Sequence, residues 1–178
     1  MSTAAVGFDS GRPRLPLASR APAIIYPPTI DWHYLYQRPQ QLMTALAKLG
    51  YRVFFCNAAV GRSPRQGQIK LATNLYLVSG ADPGAVAGTD PIIWVSYPPH
   101  VHILDRYRSG LVVFDAVDEP AEEFAHWAAD VACLRSRADV VFCSSRALYD
   151  SHVHAHPDVH LCPNAADYGH FAHAAVDG

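Results

Sequence analysis

The sequence predicts an α/β fold: a doubly wound, mostly parallel sheet of about six to seven strands with helices on both faces. Three observations carry that expectation. Short apolar runs recur at strand length, as buried strands require. Stretches with apolar residues at helical spacing alternate with those runs, the pattern of strand–helix–strand units with parallel strands. Each apolar run also ends in proline, glycine or polar residues, which marks a sharp exit from the sheet.

The elements follow in order. Residues 1–20 hold Gly, Pro, Ser and scattered charges without periodicity and read as a disordered tail rather than a targeting peptide. The domain is expected over residues 21–173, with 174–178 a tail or the start of an interdomain linker. Ala23-Ile24-Ile25-Tyr26 is a strand closed by Pro27-Pro28. A polar and aromatic loop over residues 29–38 leads to a helix whose first residue is Pro39, where a missing N–H costs nothing. Leu42, Met43, Leu46 and Leu49 give that helix one apolar stripe, and Gly50 stops it. Residues 51–56 are the second strand. After a loop, residues 69–71 and 75–78 are two short extended runs, and only 75–78 has the length expected of a strand in the sheet. Ile92-Ile93-Trp94-Val95 is a strand followed by a short helix over about residues 100–107. Leu111-Val112-Val113-Phe114 is the next strand, and Asp118 is placed to cap a helix beginning near Pro120, with Glu122 and Glu123 in its first turn. Phe124, Trp127, Ala128, Val131 and Leu134 share a face of that helix. Val140-Val141-Phe142-Cys143 is a strand, Ser144-Ser145 caps a helix, and Val159-His160-Leu161-Cys162 is a last short strand.

Bulk properties exclude several functions. A length of 178 residues suits one well-buried domain, and a hydrophobic share of 50% makes it globular rather than disordered. The formal charge of -2 removes the basic face that nucleic acid needs. No apolar run is long enough to span a membrane, so membrane contact is expected to be peripheral at most, and the location cytoplasmic. Cys56, Cys133, Cys143 and Cys162 show no CxxC spacing and read as reduced thiols. No GxGxxG or Walker A run is present, which argues against dinucleotide and P-loop chemistry.

In a parallel sheet ligands meet the carboxyl ends of the strands, so the loops there are the candidate site. Asp115, Asp118 and Glu119 put three carboxylates within five residues, suited to general-base work or to holding hydroxyls. The alternative is that Asp118 caps and Glu119 is solvated; Asp115 directly follows the strand and caps less easily. Trp32, His33, Gln37 and Arg38 combine an aromatic platform, a base that titrates near neutrality and a fixed cation. Equally, Trp32 can fill the groove beside the sheet while Arg38 pairs with a carboxylate. His152, His154, His156 and His160 resemble a metal cluster only on paper, because alternate histidines on a helix face different ways, and no metal is expected. Ser144-Ser145 lacks a GxSxG elbow and reads as a cap, not a nucleophile.

Four stretches together resemble the N-terminal lobe of GT-B glycosyltransferases of the family 4-like group. These are Asp31-Trp32 with Gln37-Arg38-Pro39-Gln40-Gln41-Leu42; Leu111 to Glu119, LVVFDAVDE; Ala138 to Leu148, ADVVFCSSRAL; and Pro163 to Asp167 with Phe171. The resemblance implies a Rossmann-like lobe that binds a sugar or lipid-linked acceptor, facing a second, donor-binding lobe across a cleft. It implies transfer of a glycosyl group from a nucleotide-sugar to a hydroxyl without a bound metal or other cofactor. Such transfer would serve polysaccharide, cell-envelope or natural-product assembly, with lipid-linked acceptors at the inner membrane face. Carried onto this chain, Asp115 and His33 are the catalytic candidates. Trp32, Gln37, Arg38, Asp118, Glu119 and His100 are the acceptor-binding ones, and Ser144, Asn164 and Asp167 would face the interlobe side. Loss of Asp115 or Arg38 is expected to reduce transfer without unfolding the protein. Since residue 178 falls where the donor lobe should begin, the lobe alone is expected to be inactive, with a separate donor domain as a possible partner. The rival reading is a non-catalytic Rossmann-like binding module. Ala165, where the family has glycine, departs from the pattern.

Overall fold

The computed structural model describes residues 21–58, 67–81, 83–88 and 90–165. The expected tails and Asp167 lie outside the described residues. Eight strands form one sheet: β1 (Ile24–Tyr26), β2 (Val53–Cys56), β3 (Gly67–Ala72), β4 (Leu75–Ser79), β5 (Ile92–Val95), β6 (Leu111–Ala116), β7 (Val140–Cys143) and β8 (Val159–Leu161). Their order is β3-β4-β2-β1-β5-β6-β7-β8, and every pairing is parallel except β3 with β4. The doubly wound Rossmann-like architecture is therefore present.

The β3 strand corrects the sequence expectation. Residues 67–72 do enter the sheet, as an antiparallel edge joined to β4 through a turn in which Asn74 takes a positive φ of 62°. Gln68, Ile69 and Lys70 are all exposed, so no buried face wrote an alternating pattern into this strand. Leu71 is its one contact with the core cluster among the described residues, and the pairing with β4 shifts register between Lys70 and Ala72.

Helix α1 (Arg38–Lys48) covers one face of the sheet, burying Gln40, Met43 and Ala47 over Ile24, Tyr26, Val53, Phe55, Leu75 and Leu77. It ends as the sequence requires: Gly50 has φ 100°, its N–H reaches Ala47, and the Tyr51 N–H reaches Leu46. Leu49 is 65% exposed and leaves the expected stripe, because it lies past the last helical turn. Helix α2 (Gly84–Ala87) is a single turn.

The opposite face is packed by a 3₁₀ helix over Pro98–Arg106, helix α3 (Ala128–Arg137) and helix α4 (Arg146–His152), through Val101, Leu104, Val131, Leu134 and Leu148. Val101 and Leu104 are three apart, the spacing at which a 3₁₀ helix superposes side chains. Another 3₁₀ segment, Glu122–Trp127, precedes α3, so Ala128 is exposed instead of sharing a face with Val131. Ser145 caps α4 by accepting from the Leu148 N–H at 3.2 Å, as expected. Among the described residues no helix is long and apolar enough to cross a membrane, and the four cysteines are thiols.

Candidate functional site

The strand order reverses direction between β1 and β5, and the crevice at such a switch point is where open α/β sheets bind ligands. Tyr26 ends β1 and Ser96 follows β5, and their hydroxyls are 2.5 Å apart across that point. Burial pushes the Tyr26 phenol up to about 12, with Asp115 adding to the rise, so it stays neutral and able to donate. Above this pair opens a cleft of about 460 Å3, within the range of small-molecule sites. Its walls carry Thr29, Gln37, Arg38 and Gln41 on one side, Tyr97, Asp118 and Trp127 on the other, and Asn164 at the exit of β8. A neighbouring cleft of about 410 Å3 runs along α1 past Tyr36, Leu42 and Lys48, and Arg38, Gln41 and Asn164 are common to both.

Arg38 holds the site together. Its Nη2 donates to Asp115 at 2.7 Å, its Nε to the second carboxylate oxygen at 3.0 Å, and its Nη1 to the Cys162 carbonyl at 2.9 Å and the Asn164 side chain at 3.1 Å. Burial pulls the guanidinium pKa down, but the Asp115 hydrogen bond and charge outweigh it, leaving it above its ordinary value. Asp115 is 1% exposed. An alanine at either position would strand a buried charge, so a stability cost is to be set beside the expected loss of transfer. Asp115 is enclosed by Arg38 and does not line the cleft. The structure thus gives no support to its direct contact with a reacting hydroxyl.

Several other sequence candidates stand elsewhere. Trp32 packs edge-on to Phe55 at 4.9 Å and edge-on to Tyr36 at 6.3 Å, so it fills the groove beside the sheet. Its backbone N–H donates to Asn57 at 2.7 Å; Asn57 in turn donates to Asp31 at 2.9 Å, which accepts from the His33 N–H at 2.8 Å. His33 is exposed, is tied through its backbone N–H, and is not among the described residues lining the cleft. His100 sits behind Tyr97, edge to face at 5.0 Å; burial lowers it to about 4, leaving it neutral. Ser144 donates to the Val117 carbonyl at 3.3 Å instead of facing the cleft, and Glu119 is solvated.

Asp118 does not cap. The following 3₁₀ helix has Ala121 at its N-cap, too far along for the Asp118 carboxylate to reach the free N–H groups. It stands exposed at the cleft, where partial burial raises its carboxyl above the ordinary value.

Gln37, Arg38, Asp118 and Asn164 are therefore brought together, and Trp32, His33, His100, Glu119 and Ser144 are not. The sequence reading missed Trp127, whose ring meets Tyr97 at 5.2 Å edge to face and stacks on Phe124 at 4.4 Å. Its apolar helical spacing disguised it as core. Gln40 was missed too: fully buried, it donates to the Leu35 carbonyl at 2.6 Å and accepts from the Gln37 N–H at 3.1 Å, setting the loop ahead of α1. Among the described residues no three metal-ligating side chains converge. His152 packs on Phe114, His156 bonds to the Ala138 carbonyl, and His160 pairs with Asp158.

Fold and site together define a Rossmann-like domain with a polar, aromatic-walled cleft at its switch point. No family model matches the chain, and no curated protein matches it. Among solved structures it is similar to one titled sucrose-phosphate synthase, from Thermosynechococcus elongatus. The TM-score is 0.56 at 12% identity, over 88% of this chain and 96% of that chain. At that identity the likeness is one of fold.

Proposed function

We propose that this domain is the acceptor-binding lobe of a GT-B glycosyltransferase of the family 4-like group. It presents a hydroxyl of a sugar or lipid-linked acceptor to a nucleotide-sugar held by a second, donor-binding lobe. The transfer would belong to polysaccharide, cell-envelope or natural-product assembly at the cytoplasmic side. The fold shared with a sucrose-phosphate synthase is consistent with this reading.

The observation that carries it is the make-up of the switch-point cleft. An aromatic wall of Trp127 and Tyr97 faces the Gln37, Gln41 and Asn164 amides and the Thr29 hydroxyl. Sugars offer apolar ring faces and many hydroxyls, which such a wall and such amides satisfy at once. Arg38 and Asp115 are positioning residues in this reading. They fix the exit of β8 at Asn164, and with it the side from which a second lobe would approach.

Spectroscopic titration of the chain with neutral mono- and disaccharides is expected to perturb Trp127 fluorescence and the Gln41 and Asn164 amide signals. Nucleotide-sugars alone are expected to bind weakly. Micromolar affinity for a nucleotide-sugar, or no response to any saccharide, would overturn the assignment.

A further inference from the structure

We propose that the switch-point cleft selects an acceptor bearing a protonated amine, an amino sugar or amino polyol, over a phosphorylated one, with Asp118 meeting the ammonium. This rests on the reading of the cleft as an acceptor site.

Charge sets the preference. Among the described lining residues Arg38 and Asp118 are the charged ones. Arg38 is 10% exposed, and four of its five N–H donors go to Asp115, Cys162 and Asn164. A guanidinium and a carboxylate in direct contact nearly cancel at the distance of a ligand. Asp118 has no hydrogen-bond or ion-pair partner among the described residues, and it is an exposed residue of the cleft lining. The unmatched charge facing a ligand is therefore negative.

The same wall carries Trp127 and Tyr97, whose ring faces attract cations. An ammonium gains a charge-assisted hydrogen bond and an aromatic face together. The partial burial that raises the Asp118 carboxyl is also what makes a counter-charge worth more there than in open water. A phosphate entering the cleft meets an exposed carboxylate and, among the described lining residues, no cation outside the Arg38–Asp115 pair, and like charges brought together without compensation are repelled.

The test is an amide chemical-shift titration of the whole chain with glucosamine, glucose and glucose 6-phosphate at neutral pH. Glucosamine is expected to bind about tenfold tighter than glucose, the size of one charge-assisted hydrogen bond, and glucose 6-phosphate more weakly than either. D118N is expected to bring glucosamine down to the glucose level, while D118E keeps the preference. Equal affinities for glucose and glucosamine, a preference that survives in D118N, or tightest binding of glucose 6-phosphate overturns the charge argument and leaves the saccharide site standing. No response to any of the three overturns the acceptor-site reading as well.

Discussion

Asp115 and Asp118 leave the same strand three residues apart, yet they do opposite work. Asp115 is the penultimate residue of β6, buried beneath Arg38 and gripped through both carboxylate oxygens. Asp118 lies beyond the strand, with no cation against it among the described residues, and lines the cleft. One carboxylate is taken up in holding the fold around the cleft, and the other is exposed in its lining. Closeness to a strand end is thus not enough to make an acid functional; what matters is whether another element has already claimed it.

The largest expected effect tests the buried member. D115A leaves Arg38 as an unpaired, nearly buried cation and is expected to cost about 3–5 kcal/mol in urea denaturation. The apolar pair R38M/D115L should recover most of that loss. A mild D115A would mean the two acids do not differ as described.

The next contrast sets Trp32 against Trp127. W32A removes packing on Phe55 and is expected to destabilise by about 2–4 kcal/mol. W127A is expected to leave most stability but weaken saccharide binding about tenfold, read by titration. The reverse pattern would return the aromatic platform to the loop before α1.

A pH series sharpens the same theme of buried against free groups. Burial lowers His100 to about 4, and burial with the nearby Arg135 and His156 charges lowers His152 to about 4. Both histidines take up protons on unfolding before they do when folded. The stability they contribute is full above about pH 6.5 and is lost progressively as pH falls toward 4, on the order of 1–2 kcal/mol each after allowance for partial solvent screening. Urea midpoints measured between pH 7 and 4.5 check this, and a flat profile would mean the rings are solvated.

The smallest effects belong to the free groups. D118A and H33A are expected to change stability by no more than about 0.5 kcal/mol, because neither side chain has a hydrogen-bond or ion-pair partner among the described residues.

Much of the fold was readable in advance because the core strands carry uninterrupted apolar runs and α1 carries its own stop at Gly50. Ile24-Ile25-Tyr26 and Val53-Phe54-Phe55-Cys56 are buried throughout, so burial wrote itself into composition. The edge strand β3 was not readable, since exposure on both sides leaves no such mark. The site was half legible. Arg38 and Asp115 were singled out separately, but they are 77 residues apart, and no local pattern says that they neutralise each other. Asn57 and Gln40, which hold the loop of Trp32 in place, gave no signal because an amide in a loop or a first helical turn is ordinary.

By itself, then, the chain's pattern of apolar runs and breakers determined a parallel α/β sheet with its polar residues at the strand ends. Tertiary structure alone decided which of those residues line the cleft. Local periodicity records how far a side chain is buried, whereas the pairing of charges and the facing of rings arise between segments that only the closed sheet brings together.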